Sequence, residues 1–135
     1  MENSAYLIMI RVGLIDDHAL IRKGFTIMLE QLGYSVIIEA SHGKEFIHQI
    51  NEKNQPDIIL LDTKLYVMDS YTTLQWIKIN YPQIPVIALH SKNDHKSLDK
   101  LMKSGAAGYI YKTSTPHEVN RLIKEVLGSN QYYKI

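Results

Sequence analysis

The chain alternates short, mainly apolar runs with longer segments in which apolar residues recur at helical spacing. The runs cover residues 8–15, 34–40, 57–61, 85–89 and 108–111, each with the length and branched composition of a β-strand. Apolar residues three or four positions apart follow every run: Leu20, Ile21, Phe25, Met28, Leu29 and Leu32; Phe46, Ile47 and Ile50; Leu74 and Ile77; Leu98, Leu101 and Met102; Val119, Leu122, Ile123, Val126 and Leu127. The pattern predicts five consecutive strand–helix units.

The central runs indicate how these units are arranged. Residues 58–61 and 86–89 are apolar throughout, without the alternation of a strand that has one face in water. Parallel strands covered by helices on both faces show this pattern. Thr115, Pro116 and Glu118 form a capping-box sequence that predicts the start of the last helix. The sequence therefore predicts an α/β fold with a doubly wound parallel sheet.

Composition adds the protein class and excludes several kinds of site. With 135 residues, 45% of them apolar and 21% charged, the chain has the size of one domain. A net charge of +1 lacks the basic excess typical of nucleic-acid or membrane-surface binding, and the absence of cysteine excludes disulfides and thiolate metal sites. The apolar stretch at residues 5–10 is too short to span a membrane. We expect a cytoplasmic protein without a membrane association.

Candidate chemistry lies where the predicted strands end. In an open parallel sheet, ligands bind at the carboxyl ends of the strands, where the winding direction changes. The polar residues at or just past these ends are Asp16 and Asp17, Asp62, His90 and Ser91, and Lys112. Three carboxylates and one ammonium group from distant parts of the chain are therefore expected to converge.

Clustered carboxylates need a cation, a proton or separation. Two unit charges about 4 Å apart repel by roughly 4 kcal/mol at an effective dielectric near 20. Oxygen ligands of this kind suit Mg²⁺, and a carboxylate such as Asp62 can act as a nucleophile toward a phosphoryl group, with Lys112 neutralising its charge. The alternative is that Asp16 and Asp17 cap the first helix and Asp62 is a solvated turn residue.

Three segments resemble those of a known family. They are Leu14-Ile15-Asp16-Asp17-His18, Ile59-Leu60-Leu61-Asp62 and Gly105-Ala106-Ala107-Gly108-Tyr109-Ile110-Tyr111-Lys112. Together they are similar to the hallmark segments of response-regulator receiver domains, most closely of the NarL/FixJ type. The resemblance covers residues 9–127, leaves residues 1–8 as an N-terminal extension and residues 128–135 as the start of a linker or tail, and implies a flavodoxin-like (βα)5 fold with strand order 2-1-3-4-5.

The resemblance also implies roles for individual residues. Asp62 would accept a phosphoryl group from a histidine kinase and Lys112 would contact it, while Asp17 and Asp62 hold Mg²⁺ together with the backbone carbonyl of Lys64. Asp16 would act on the metal through water. Tyr109 falls at the family's rotamer-switching aromatic position; its alternative is an ordinary packing residue of a strand.

The resemblance also implies how the domain would act. The implied function is a signalling switch rather than an enzyme, acting through a partner or homodimer surface. DNA binding is expected only through a helix-turn-helix domain outside these 135 residues.

Two departures from the family pattern leave alternatives open. His90 stands where the family has a Thr or Ser; either Ser91 supplies the hydroxyl, or His90 contacts the phosphoryl group, or His90 points into solvent and the coupling is lost. The family's Met-Pro-Gly-Met-Asp-Gly loop is replaced by residues 65–70, Leu-Tyr-Val-Met-Asp-Ser, which lack the proline and both glycines and so predict a changed stiffness or path.

These departures favour, as an alternative, a degenerate receiver that binds a protein partner independently of phosphorylation. A flavodoxin-like protein or an Asp-nucleophile phosphatase is less favoured, because such phosphatases carry a second Asp two residues after the first, where this chain has Lys64.

Overall fold

A computed structural model describes residues 9–91 and 94–128 as five strands alternating with five helices. The strands are β1 (Arg11–Ile15), β2 (Ser35–Ala40), β3 (Ile58–Asp62), β4 (Val86–His90) and β5 (Gly108–Tyr111). The helices are α1 (Ala19–Gln31), α2 (Gly43–Gln49), α3 (Ser70–Asn80), α4 (His95–Lys103) and α5 (Pro116–Leu127).

The sheet has the topology that the resemblance implied. All neighbouring strands are parallel, and their order is β2-β1-β3-β4-β5. Because β1 lies between β2 and β3, the winding direction changes at β1 and β3. This arrangement places the ends of β1 and β3 side by side at the site where ligands bind in such sheets.

Two hydrophobic layers cover the two faces of the sheet. Successive residues of β3 alternate between them: Ile58 and Leu60 pack with α1 and α5, whereas Ile59 and Leu61 pack with α2, α3 and α4. All five residues of β3 and of β4 are buried. The unbroken apolar runs therefore reflect burial on both faces, as the sequence predicted.

The predicted start of the last helix is confirmed, and two other helices also begin at a capping residue. The capping box of α5 is present, with the Thr115 hydroxyl accepting the Glu118 N–H and the Glu118 carboxylate accepting the Thr115 N–H. Asp69 and Asp94 cap α3 and α4 through N–H groups of the first turn.

The predicted strand limits need small corrections. β1 begins at Arg11 and not at residue 8, and Asp62 and His90 are the last residues of their strands and do not lie past them. Strand pairing, which the sequence pattern does not contain, sets these limits.

Some sequence predictions concern residues outside the described part. The N-terminal extension, residues 1–8, and nearly all of the linker or tail, residues 129–135, are among them. Within residues 9–91 and 94–128, no helix has both the length and the apolar character needed to cross a membrane.

Candidate phosphoryl and metal site

The three acidic side chains meet at the carboxyl ends of β1 and β3. Asp16 is fully buried, Asp17 is partly buried and Asp62 is 2% exposed. Asp62 is thus not a solvated turn residue. Asp16 and Asp17 do not cap α1 either. The N-cap residue of α1 is His18, whose side chain makes no capping bond, and Asp16 accepts the His18 N–H at 2.9 Å.

Lys112 brings a positive charge to the same place. It follows β5 directly, and its side chain is 10% exposed. Its Nζ lies 3.1 Å from Asp62 Oδ2 and 3.2 Å from Asp16 Oδ2. One ammonium group therefore faces two buried carboxylates, one just past the end of β1 and the other at the end of β3.

The charges at this site are not fully balanced by the protein. Burial, and then the charge of Asp16, raises the pKa of Asp62 from 3.8 to about 7, although Lys112 and the Lys64 N–H lower it. Asp16 Oδ2 and Asp17 Oδ1 are buried and accept no hydrogen bond from the described residues, although Lys112 Nζ lies 3.2 Å from the first oxygen and His18 Nδ1 lies 3.1 Å from the second. Hard oxygen donors with spare lone pairs fit a divalent cation such as Mg²⁺.

Hydrogen bonds fix the path of the loop after β3, which lacks the proline and glycines of the family's loop. The Ser70 hydroxyl, buried in the first turn of α3, donates to the Asp62 carbonyl and accepts the Leu65 N–H. The Lys64 N–H donates to Asp62 Oδ1 at 3.1 Å. No described non-glycine residue has a positive φ, so this loop forms without the backbone freedom of glycine.

His90 is enclosed in an aromatic cluster. Its side chain is fully buried, which excludes the alternative in which it points into solvent. The ring lies 5.6 Å, between centroids, from the rings of both His95 and Tyr111. Burial, and then the nearby His95, lowers the pKa of His90, while Asp94 raises it. Ser91, the other candidate for the family hydroxyl, is exposed.

The sequence and structure of this chain match known proteins along most of its length. The model of the response regulator receiver domain matches residues 12–124. The chain belongs to this family. It is also 31% identical over 125 residues to the response regulator GacA of Pseudomonas viridiflava and to the response regulator UvrY of Escherichia coli K12. These matches cover 92% of this chain but only 58% and 57% of those two proteins.

A solved receiver domain has the same fold. The CheY-like response regulator receiver domain protein from Methanospirillum hungatei JF-1 superposes with a TM-score of 0.80 at 25% identity. The superposition covers 92% of this chain and 98% of that chain. The receiver fold inferred from the three sequence segments is therefore confirmed.

In this receiver domain, Tyr109 lies on the surface. It is 44% exposed, and its ring meets the Tyr111 ring edge-on at 5.8 Å. The exposed fraction and the edge contact fit both interpretations of this position, a switching aromatic residue and an ordinary packing residue of the strand. Its role as a switch stays a prediction.

Three residues that contact the site were not predicted from the sequence. His18 places its Nδ1 3.1 Å from Asp17 Oδ1, Arg22 donates to the Asp16 carbonyl at 2.6 Å, and Ser70 holds the loop after β3. His18 is adjacent to the acidic pair, so its position in the sequence was a usable signal. For Arg22 and Ser70 only the packing of α1 and α3 reveals the contact.

Proposed function

We propose that this receiver domain is phosphorylated on Asp62 by a histidine kinase, with Mg²⁺ bound, and that phosphorylation switches a partner or homodimer surface. The observation that carries the proposal is the contact of the buried Asp62 carboxylate with Lys112 at 3.1 Å, beside the buried Asp16. In the full-length protein the switched surface would control a transcriptional output domain in the cytoplasm.

The reaction is a phosphoryl transfer between a nitrogen and an oxygen. An Asp62 carboxylate oxygen attacks phosphorus, the P–N bond of the kinase phosphohistidine breaks, and the departing imidazole keeps the electron pair and takes up a proton. Lys112 would bind an oxygen of the incoming group, and the contact of its Nζ with Asp62 Oδ2 supports this role. The product carries extra negative charge next to this ammonium group, which stabilises it.

Several residues would hold the divalent cation. Asp17 and Asp62 offer oxygens for direct contact, the Lys64 carbonyl is a third candidate, and Asp16 would act through water. When bound, the cation neutralises negative charge on the transferring phosphoryl group. The spare lone pairs of Asp16 and Asp17 support this assignment.

The environment of His90 favours a second candidate function. In the family a hydroxyl at this position couples the phosphoryl group to the following loop, but here the imidazole is buried against His95 and Tyr111. If this cluster holds the loop in one arrangement, the domain acts as a protein-binding module that does not respond to phosphorylation. His90 and the exposed Ser91 are the two residues left to make the coupling contact.

The test is the intact mass of the protein after incubation with Mg²⁺ and the small phosphodonor acetyl phosphate, followed by an acid quench. The wild type is compared with Asp62→Asn and with Asp99→Asn, a matched change of an exposed aspartate on α4. A conventional receiver is treated in the same way. We expect one phosphoryl group on the wild type and on Asp99→Asn, and none on Asp62→Asn.

Two results would contradict the proposal. If the conventional receiver is labelled and this protein is not, the phosphorylation-independent binding module becomes the better description. If Asp62→Asn is labelled as fully as the wild type, the acceptor is a different residue.

A further inference from the structure

His18 brings an imidazole nitrogen to the acidic site. Its Nδ1 lies 3.1 Å from Asp17 Oδ1, 3.3 Å from Asp16 Oδ1 and 4.0 Å from Asp62 Oδ2. One ligand atom from each of these four residues fits within a group whose members are all within 4.8 Å of one another. The His18 nitrogen therefore lies next to the carboxylate oxygens of the proposed metal site.

The hydrogen-bonding roles of this nitrogen conflict. A carboxylate can only accept, so the hydrogen bond with Asp16 Oδ1 calls for a proton on Nδ1. A lysine ammonium can only donate, and Lys112 Nζ lies 3.3 Å from the same Nδ1, which calls for a lone pair there. A divalent cation among these groups removes the conflict, because the carboxylate oxygens and the Nδ1 lone pair can then all be directed at the cation.

The backbone holds His18 at the pocket, while its ring has no competing role in the helix. The His18 N–H is bound by Asp16 Oδ1 at 2.9 Å, and the side chain makes no cap bond to α1. Its side chain is 60% exposed, so the ring lies at the entrance to the site. The fully buried Asp16 contributes an oxygen, Oδ2, that accepts no hydrogen bond from the described residues.

We infer that His18 is a direct ligand of the divalent cation at this site and that it gives the site a preference for borderline transition cations over Mg²⁺. The inference rests on the proposed metal site formed by Asp16, Asp17 and Asp62. Imidazole nitrogen binds late first-row divalent metals well, whereas Mg²⁺ takes oxygen ligands and waters. A receiver with this set of ligands would bind Co²⁺ or a similar ion more tightly than carboxylates alone allow.

The test compares the dissociation constants of Co²⁺ and Mg²⁺, measured by calorimetry on protein without an affinity tag. The variants are His18→Ala and the control His48→Ala, which removes an exposed imidazole from the last turn of α2. That helix starts at the carboxyl edge of the sheet, so its last turn points away from the site. We expect His18→Ala to weaken Co²⁺ binding by about 10-fold and Mg²⁺ binding by less than about 3-fold. His48→Ala should change neither constant.

Proton NMR of the Co²⁺ form gives a direct readout of the ligand. A ring N–H of a cobalt-bound imidazole appears as a strongly shifted, exchangeable signal, and we expect one such signal that disappears in His18→Ala and persists in His48→Ala. If both metals bind but His18→Ala changes neither the Co²⁺ constant nor the spectrum, the inference is wrong while the proposed acidic metal site stands. If neither metal binds the wild type, the metal site itself is refuted and the inference with it.

Discussion

Replacing His90 by leucine tests whether its imidazole is buried without hydrogen-bond partners. Both ring nitrogens are buried, and neither has a partner among residues 9–91 and 94–128. A neutral imidazole has one N–H donor and one nitrogen acceptor. Each buried polar group left without a partner costs about 1–3 kcal/mol, so an apolar side chain of similar size should relieve this cost.

The expected gain follows from two opposing effects. Removing two unsatisfied nitrogens stabilises the fold by about 2–4 kcal/mol at the lower end of that range, and the change of shape against His95 and Tyr111 costs up to about 1.5 kcal/mol. We expect His90→Leu to raise the free energy of unfolding by about 0.5–4 kcal/mol. With a urea dependence of about 1.5 kcal/mol per molar, a gain of 2 kcal/mol moves the midpoint upward by about 1.3 M.

The gain should also depend on pH. The pKa of His90 is lowered below 6.5 by burial and by His95, with Asp94 opposing. Between the folded-state pKa and 6.5 the unfolded chain binds more protons, so the stability of the wild type falls as the pH falls through this window. The advantage of His90→Leu should therefore be larger at pH 5 than at pH 8.

Urea unfolding followed by circular dichroism at both pH values measures this difference. The control is His48→Leu, a change of an exposed histidine, for which we expect less than about 0.5 kcal/mol. A clear loss of stability in His90→Leu at pH 8 would refute the reasoning, because it would mean that the imidazole makes hydrogen bonds that leucine cannot replace.

Three further substitutions test the elements that build the site. Asp69→Ala removes the N-cap of α3 and should lower the free energy of unfolding by about 1 kcal/mol at neutral pH. Hydrogen bonds from the first turn of α3 lower the pKa of Asp69 below 3.8. The urea midpoints of the variant and the wild type should therefore converge as the pH falls through the folded-state pKa. Gly43→Ala places a Cβ 2.2 Å from Thr73 Oγ1 and should cost about 1–3 kcal/mol in urea unfolding. The control Gly24→Ala, whose added Cβ meets no atom from elsewhere in the fold within 4 Å, should be stabilising, and equal effects of the two substitutions would refute this reasoning. Lys112→Met leaves the buried carboxylates of Asp16 and Asp62 without the ammonium group that contacts them and should lower the free energy of unfolding by about 3–5 kcal/mol. Added Mg²⁺ should recover part of this loss in thermal unfolding. An unchanged melting temperature would show that the lysine does not neutralise the carboxylates.

The fold, and the convergence of acidic residues with Lys112, could be predicted from the sequence alone. Its apolar runs predict parallel strands because burial on both faces removes the alternation of polar residues, and this follows from local composition alone. Asp16, Asp62 and Lys112 could be placed together because the carboxyl ends of parallel strands share one edge of the sheet. The capping box of α5 depends on four consecutive residues and was equally readable.

The directions of the side chains at this edge of the sheet could not be predicted from the sequence. His90 could face solvent, the phosphoryl group or the protein interior as far as the sequence shows; packing against α4 and β5 buries it. The contacts of Ser70 with the Asp62 carbonyl and of His18 with the acidic pair likewise depend on where α3 and α1 lie against the sheet. Such contacts join residues whose separation is set by nonlocal packing and strand register, and no local periodicity of polar and apolar positions records them.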